Sequence, residues 1–166
     1  LEGGADDYVI KPFNAKELRV RVENLIAIRH RLKTWAGERA GSGSLVFGTP
    51  GLEPADAGFI KRVTETVDKN LSDEDFGVEE LAASLKMSRV HLYRRIRNIS
   101  DRSPAELIME IRLERGARLL TEGAGTVSEV AYGVGFKSLA HFSRRFSRKY
   151  GISPSVYRTK SKESSI

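Results

Sequence analysis

The sequence predicts an all-α fold in which two helix-turn-helix units are joined by a long linker helix, with a short strand and helix ahead of them. Three observations predict it. Ser88, His91, Arg94 and Arg95 recur fifty positions later as Ser138, His141, Arg144 and Arg145, with Leu92 and Ile96 matched by Phe142 and Phe146. The repeat extends upstream, where Val78, Glu80, Leu81, Ala82, Leu85 and Met87 match Val127, Glu129, Val130, Ala131, Val134 and Phe136. Self-similarity of this kind marks two copies of one supersecondary module. Beyond residue 54 no alternating apolar pattern occurs, so no strand is expected there. Charge is concentrated in the same part: residues 76–160 carry 16 Lys and Arg against 8 Asp and Glu, a net of +8, while residues 1–75 carry 11 against 13, a net of −2. A basic half is the footprint of a polyanion binder.

The elements follow in order. Residues 1–33 open on a turn-like run, Gly3 to Asp7, then a short strand candidate, Tyr8-Val9-Ile10. Lys11-Pro12-Phe13 ends it, and Asn14 caps a helix with the apolar stripe Leu18, Val22, Leu25 and Ile28. Residues 34–53, rich in Gly and Ser, read as a flexible linker. Pro54 suits a first helical turn, and Phe59, Val63, Val67 and Leu71 form the stripe of a helix ending near Asn70. Asp73 to Phe76 form a turn. Helices are then expected at Val78–Lys86, Arg89–Ile99, Pro104–Glu122, Val127–Tyr132, Leu139–Tyr150 and from Pro154, with Ser88, Ser103 and Ser138 as N-caps. The domain from 54 to 160 is expected to be followed by a disordered tail, 161–166.

Each copy divides its second helix into two faces. Leu92, Ile96 and Ile99 fall on one face, and Val90, Tyr93, Arg94 and Arg97 on the other. In the second copy Phe142 and Phe146 anchor, while Ala140, Ser143, Arg144 and Ser147 form the outer face. A major groove admits such a helix, and Arg pairs bidentately with guanine. The connector Pro104–Thr121, with the stripe Met109, Leu113, Ala117 and Leu120, is about 27 Å long at roughly 1.5 Å per residue. That length suits two recognition helices set about one DNA turn, roughly 34 Å, apart. The partner so implied is double-stranded DNA.

Other classes find little in the sequence. The absence of cysteine excludes a disulfide framework and thiolate metal sites, and fits a reducing cytoplasm. His91 and His141 lie in different copies with no third ligand, so no metal is expected. No phosphate-cradling loop or nucleophile–base pair argues for an enzyme, and no cofactor is implied. No run of eighteen apolar residues exists, so no membrane contact is expected of this stretch. Leu1 is not a natural start, so the chain is expected to be a piece of a longer one. The competing reading is a protein-interaction module docking on RNA polymerase or another regulator; a steep salt dependence would mark DNA instead.

Gly135, Phe136, Ser138, Phe142, Ser143, Arg144, Phe146, Gly151, Ser153, Pro154, Tyr157 and Arg158 form a run that closely resembles the signature of the AraC/XylS family of transcription regulators. Ser103-Pro104 and Arg112, Leu113, Ala117, Leu119 and Leu120 resemble that family's linker helix. The resemblance covers roughly residues 76–158. It implies a seven-helix domain binding asymmetric promoter sites through two adjacent major grooves. It places base-reading positions on Val90, Tyr93 and Arg94, and on Leu139, Ala140, Ser143 and Arg144. Arg89, Arg97, Lys137, Ser138 and Arg148 complete the expected DNA-binding set.

Residues 1–33 resemble the end of a response-regulator receiver domain, Gly4 to Phe13 matching the end of its last strand. By that resemblance Lys11 is the lysine that pairs with the phosphorylated aspartate, Tyr8 the switch aromatic, and Pro12 the proline after a cis peptide. The phosphoacceptor and its acidic pocket are absent from this stretch, so it is not expected to respond to phosphorylation by itself. A receiver followed by such a domain resembles two-component response regulators, including those fused into hybrid sensor kinases. Without the rest of its sheet, the strand Tyr8–Ile10 is expected to be disordered or borrowed by a neighbour. The helix stripe is expected to be mobile or to self-associate, pairing two copies as a homodimer.

Overall fold

The computed structural model describes residues 53–163, and every regular element among them is an α-helix. These are α1 (Pro54–Lys69), α2 (Val78–Ser84), α3 (Arg89–Ser100), α4 (Pro104–Thr121), α5 (Val127–Gly133), α6 (Leu139–Tyr150) and α7 (Pro154–Glu163). The strand Tyr8–Ile10, the helix stripe Leu18 to Ile28, the switch residues Tyr8, Lys11 and Pro12, and the linker up to residue 52 lie outside the described residues.

Boundaries follow local chemistry. The sequence pattern carries the second helix to Lys86, but the chain leaves the helix at Ser84 because Lys86 adopts a left-handed φ of 54°. The fourth helix stops at Thr121, just before Gly123 turns left-handed. At the other end α7 runs to Glu163, past the boundary expected at 160, since no Gly or Pro follows Pro154.

The core is built around α4. Its expected stripe of Met109, Leu113, Ala117 and Leu120 proves much wider, since Leu107, Ile108, Ile111 and Leu119 are buried as well. The cause is that α4 packs against all six other described helices, which leaves only a strip beginning at Ala105 and Glu106 exposed. It carries two buried arginines as ties. The Arg115 guanidinium donates to both carboxylate oxygens of Asp68 on α1, at 2.8 and 2.6 Å. Arg112 Nη2 donates to the carbonyl oxygens of Asp73 and Phe76, at 2.7 and 3.1 Å. Gly116 lets α6 approach closely: a Cβ there would lie 3.0 Å from the Phe142 ring.

The two modules bury different chemistry against this helix. The first fills its core with aliphatic Leu81, Leu92 and Ile96, backed by Phe59, Val63 and Val67 of α1. The second uses rings. Phe146 lies 5.4 Å from Phe142, 4.4 Å from Tyr150 and 5.2 Å from Tyr157, centroid to centroid. Such tilted and edge-on pairs are worth about 0.5–1.5 kcal/mol each beyond area burial. Among the described residues no helix is long and apolar enough to cross a membrane.

Candidate nucleic-acid interface

Caps set where α3 and α6 begin. Ser88 Oγ accepts the His91 amide at 3.2 Å and starts α3; Ser138 Oγ accepts the His141 amide at 3.1 Å and starts α6. The preceding helices are closed by the repeated glutamates. Glu80 accepts the Gly77 amide at 2.9 Å and Glu129 the Thr126 amide at 2.8 Å. The repeated Ser and Glu are thus the capping chemistry of one module used twice.

Burial of one face then fixes what the other presents. Leu92 and Ile96 on α3, and Phe142 and Phe146 on α6, are fully buried. On the opposite side of α3, Val90 is 61% and Tyr93 44% exposed, with Arg94 and Arg97 exposed beside them. Arg97 Nη1 donates to the Tyr93 hydroxyl at 3.1 Å, stiffening this pair. Arg89, at the start of the helix, pairs with Glu79 on α2. On α6, Ala140, Arg144 and Arg148 are exposed. Among the described residues, Arg94 and Arg144 engage in no hydrogen bond or ion pair and are open to a ligand.

Other expected residues sit differently. Leu139 is half-buried and packs on the core, so its side chain serves the interior. Ser143 is half-buried and its Oγ is enclosed without a hydrogen-bond partner. The Ser138 hydroxyl is engaged as a cap acceptor. Lys137 is exposed but paired, its Nζ 2.5 Å from Asp75 Oδ1, and that hydrogen bond and charge hold its ammonium above the ordinary lysine value. His141 is held below the ordinary histidine value by burial, with Arg145 and Arg144 adding to the effect. Its ring packs edge-on to Phe136 at 5.5 Å. Among the described residues no three His, Cys, Asp or Glu side chains gather as a metal site.

The pattern of Arg pairs hid a division of labour. Arg95, adjacent to Arg94, stacks over the Phe59 ring at 4.2 Å and lies 3.7 Å from Asp56, tying α3 to α1. Arg145, adjacent to Arg144, lines a groove against α4 with Glu106, Glu110 and Arg148. A neighbour in sequence stands about 100° round a helix, which is the signal that separates the two members of each pair.

A helix-turn-helix family model matches residues 81–160. Histidine kinase P4 of Formosa agariphila is 35% identical over 163 residues, 98% of this chain and 12% of that protein, so the chain spans a small part of this relative. The C-terminal domain of AraT, a response regulator from Geobacillus stearothermophilus, aligns with TM-score 0.56 and 31% identity, covering 67% of this chain and 88% of that one. The DNA-binding domain of AdpA, a global transcriptional factor solved with a target DNA, aligns with TM-score 0.55 and 33% identity, covering 61% and 89%. Structures described as AraC-type or AraC-family regulators share the fold. By matched sequence, helix order and fold, the chain belongs through this region to the AraC-type helix-turn-helix DNA-binding domains.

Proposed function

We propose that this domain is the sequence-specific DNA-binding output of a two-component signalling protein, with α3 and α6 entering two adjacent major grooves of promoter DNA. One observation carries the reading: both helices bury one face completely and turn an unpaired arginine, Arg94 or Arg144, outward from the same place in the module. The forked guanidinium matches guanine O6 and N7, and each such contact is worth about 1–3 kcal/mol of discrimination. Val90 and Tyr93 add apolar and aromatic contact on α3, Ala140 lets α6 approach closely, and Arg97 and Arg148 suit phosphates. Because the two outer faces differ, the preferred site is asymmetric.

The signalling role draws on different support. The match to the histidine kinase takes in 98% of the chain and so most of residues 1–33, whose sequence resembles a receiver end. In this reading residues 1–33 close a receiver carrying Tyr8, Lys11 and Pro12, residues 34–53 link it, and residues 54–160 bind DNA in the cytoplasm. RNA polymerase is the expected further partner.

Selection from randomised duplexes, followed by titration of the selected site across a salt series, tests the first part. An enriched asymmetric site and a steep fall of affinity with salt are expected. A flat salt response with no enriched sequence would favour a protein partner. For the second part, acetyl phosphate should alter DNA affinity in a longer chain containing a whole receiver and leave this 166-residue chain unaffected.

A further inference from the structure

The two copies differ by one residue, and the difference sits where the modules touch. From Val78 to Met87 the copies are 49 positions apart, but from Ser88 onward they are 50 apart. Lys137 is the extra residue. It reaches out of the second module to Asp75, in the loop between α1 and α2, with 2.5 Å between Nζ and Oδ1.

Two more contacts close the same gap. Arg112, 7% exposed on α4, holds that loop by the carbonyl oxygens of Asp73 and Phe76. Gly135 brings the turn of the second module against the loop: a Cβ there would lie 2.4 Å from the Leu71 carbonyl oxygen and 3.0 Å from the Arg112 guanidinium carbon. The equivalent residue of the first module, Lys86, takes a similar left-handed turn with φ 54° against 82°, yet keeps a side chain and is exposed. The turn itself therefore tolerates a Cβ. The neighbouring module is what excludes one.

We propose that Arg112, Gly135 and the Lys137–Asp75 pair form a latch that fixes the angle between α3 and α6, and so sets which half-site separation the domain accepts. The part of this that concerns half-sites rests on the DNA-binding reading. Packing on α4 sets the distance between the modules and leaves small rotations about its axis as their softest relative motion. A second attachment beside that axis removes the rotation. Asp75 and Arg112 are thus positioning residues that act on DNA through the orientation of the recognition helices.

The chain has no cysteine, so Ala83→Cys on α2 and Tyr132→Cys on α5, both at exposed positions, introduce one spin label per module. Pulsed dipolar spectroscopy on the 166-residue chain should give a narrow distance distribution that broadens in Arg112→Met and, less, in Asp75→Asn. An unchanged width in helical Arg112→Met overturns the latch; should that variant not fold, an unchanged width in Asp75→Asn overturns it. The DNA arm compares the best half-site spacing with one base pair more or less. Asp75→Asn should lower that discrimination by about two- to fivefold, the range of an exposed ion pair, read as the ratio of affinities for the two spacings so that any uniform gain from freeing Lys137 cancels. Broadened distances with unaltered spacing discrimination would refute control of spacing. Failure of the parent chain to bind any half-site would sink the DNA reading alone, with the latch still decided by the distances.

Discussion

The two helix-turn-helix units share caps, helix lengths and an outward arginine, yet they reach stability and contact by different means. The first is aliphatic inside and bulky outside, with Leu92 and Ile96 below and Val90 and Tyr93 above. The second reverses this, with Phe142 and Phe146 below and Ala140 above. Its ring cluster continues through Tyr150 into Tyr157 of α7, an element the first module lacks. A duplicated scaffold has thus kept the residues that start and orient its helices while its inner and outer faces diverged. What is common to the copies is backbone chemistry, and what differs is packing and recognition.

Four sets of substitutions break or sharpen this comparison. The largest contrast lies in the turns. Gly135→Ala should cost about 2–4 kcal/mol of unfolding free energy by urea titration, because it drives a Cβ into backbone. Lys86→Gly at the equivalent turn should be neutral or stabilise by up to about 1 kcal/mol; equal losses at both sites would remove the asymmetry. Next come the outward arginines. Arg94→Ala and Arg144→Ala should each weaken specific binding by about 1–3 kcal/mol and binding to scrambled DNA much less. Equal losses on both DNAs would recast these side chains as phosphate contacts.

The caps should behave alike in both modules, Ser88→Ala and Ser138→Ala each costing about 1 kcal/mol in thermal or urea unfolding. Smallest is a pH effect in the second module. His141 is held below its ordinary value of 6.5 by burial, so above that pH both folded and unfolded chains carry it neutral and its contribution is complete. As pH falls below 6.5 the unfolded chain takes the proton first, and stability declines through the folded value. His141→Gln should lessen that acid-side decline in urea midpoints measured between pH 7 and pH 5.

Much of this architecture is legible in the amino-acid pattern because it is written locally. Ser88, Ser103 and Ser138 act within three residues of themselves, and Phe59, Val63, Val67 and Leu71 follow one helical stripe. Arg94 and Arg144 stand out because two copies place them alike. Contacts between distant parts of the chain leave no such trace. Arg115 meets Asp68 from 47 positions away and Arg112 meets Asp73 from 39, and helical periodicity alone does not tell either arginine from a solvated helix charge. The family resemblance names Leu139 as a base-reading position, and no local pattern shows that its half-buried side chain also packs on the core. The candidate interface was therefore readable down to the helix face and less so at the single side chain.

The central position of α4 has a consequence for how the domain folds and opens. Each module completes its core only with side chains that α4 supplies, Leu107 and Ile111 among them near one end and Ala117 and Leu120 near the other. Neither module then has a folding equilibrium of its own, and loosening one exposes apolar surface on which the other depends. The pair is expected to melt as one cooperative unit, with coincident transitions from probes placed in either module. The slowest-exchanging backbone amides of the domain are expected in α4.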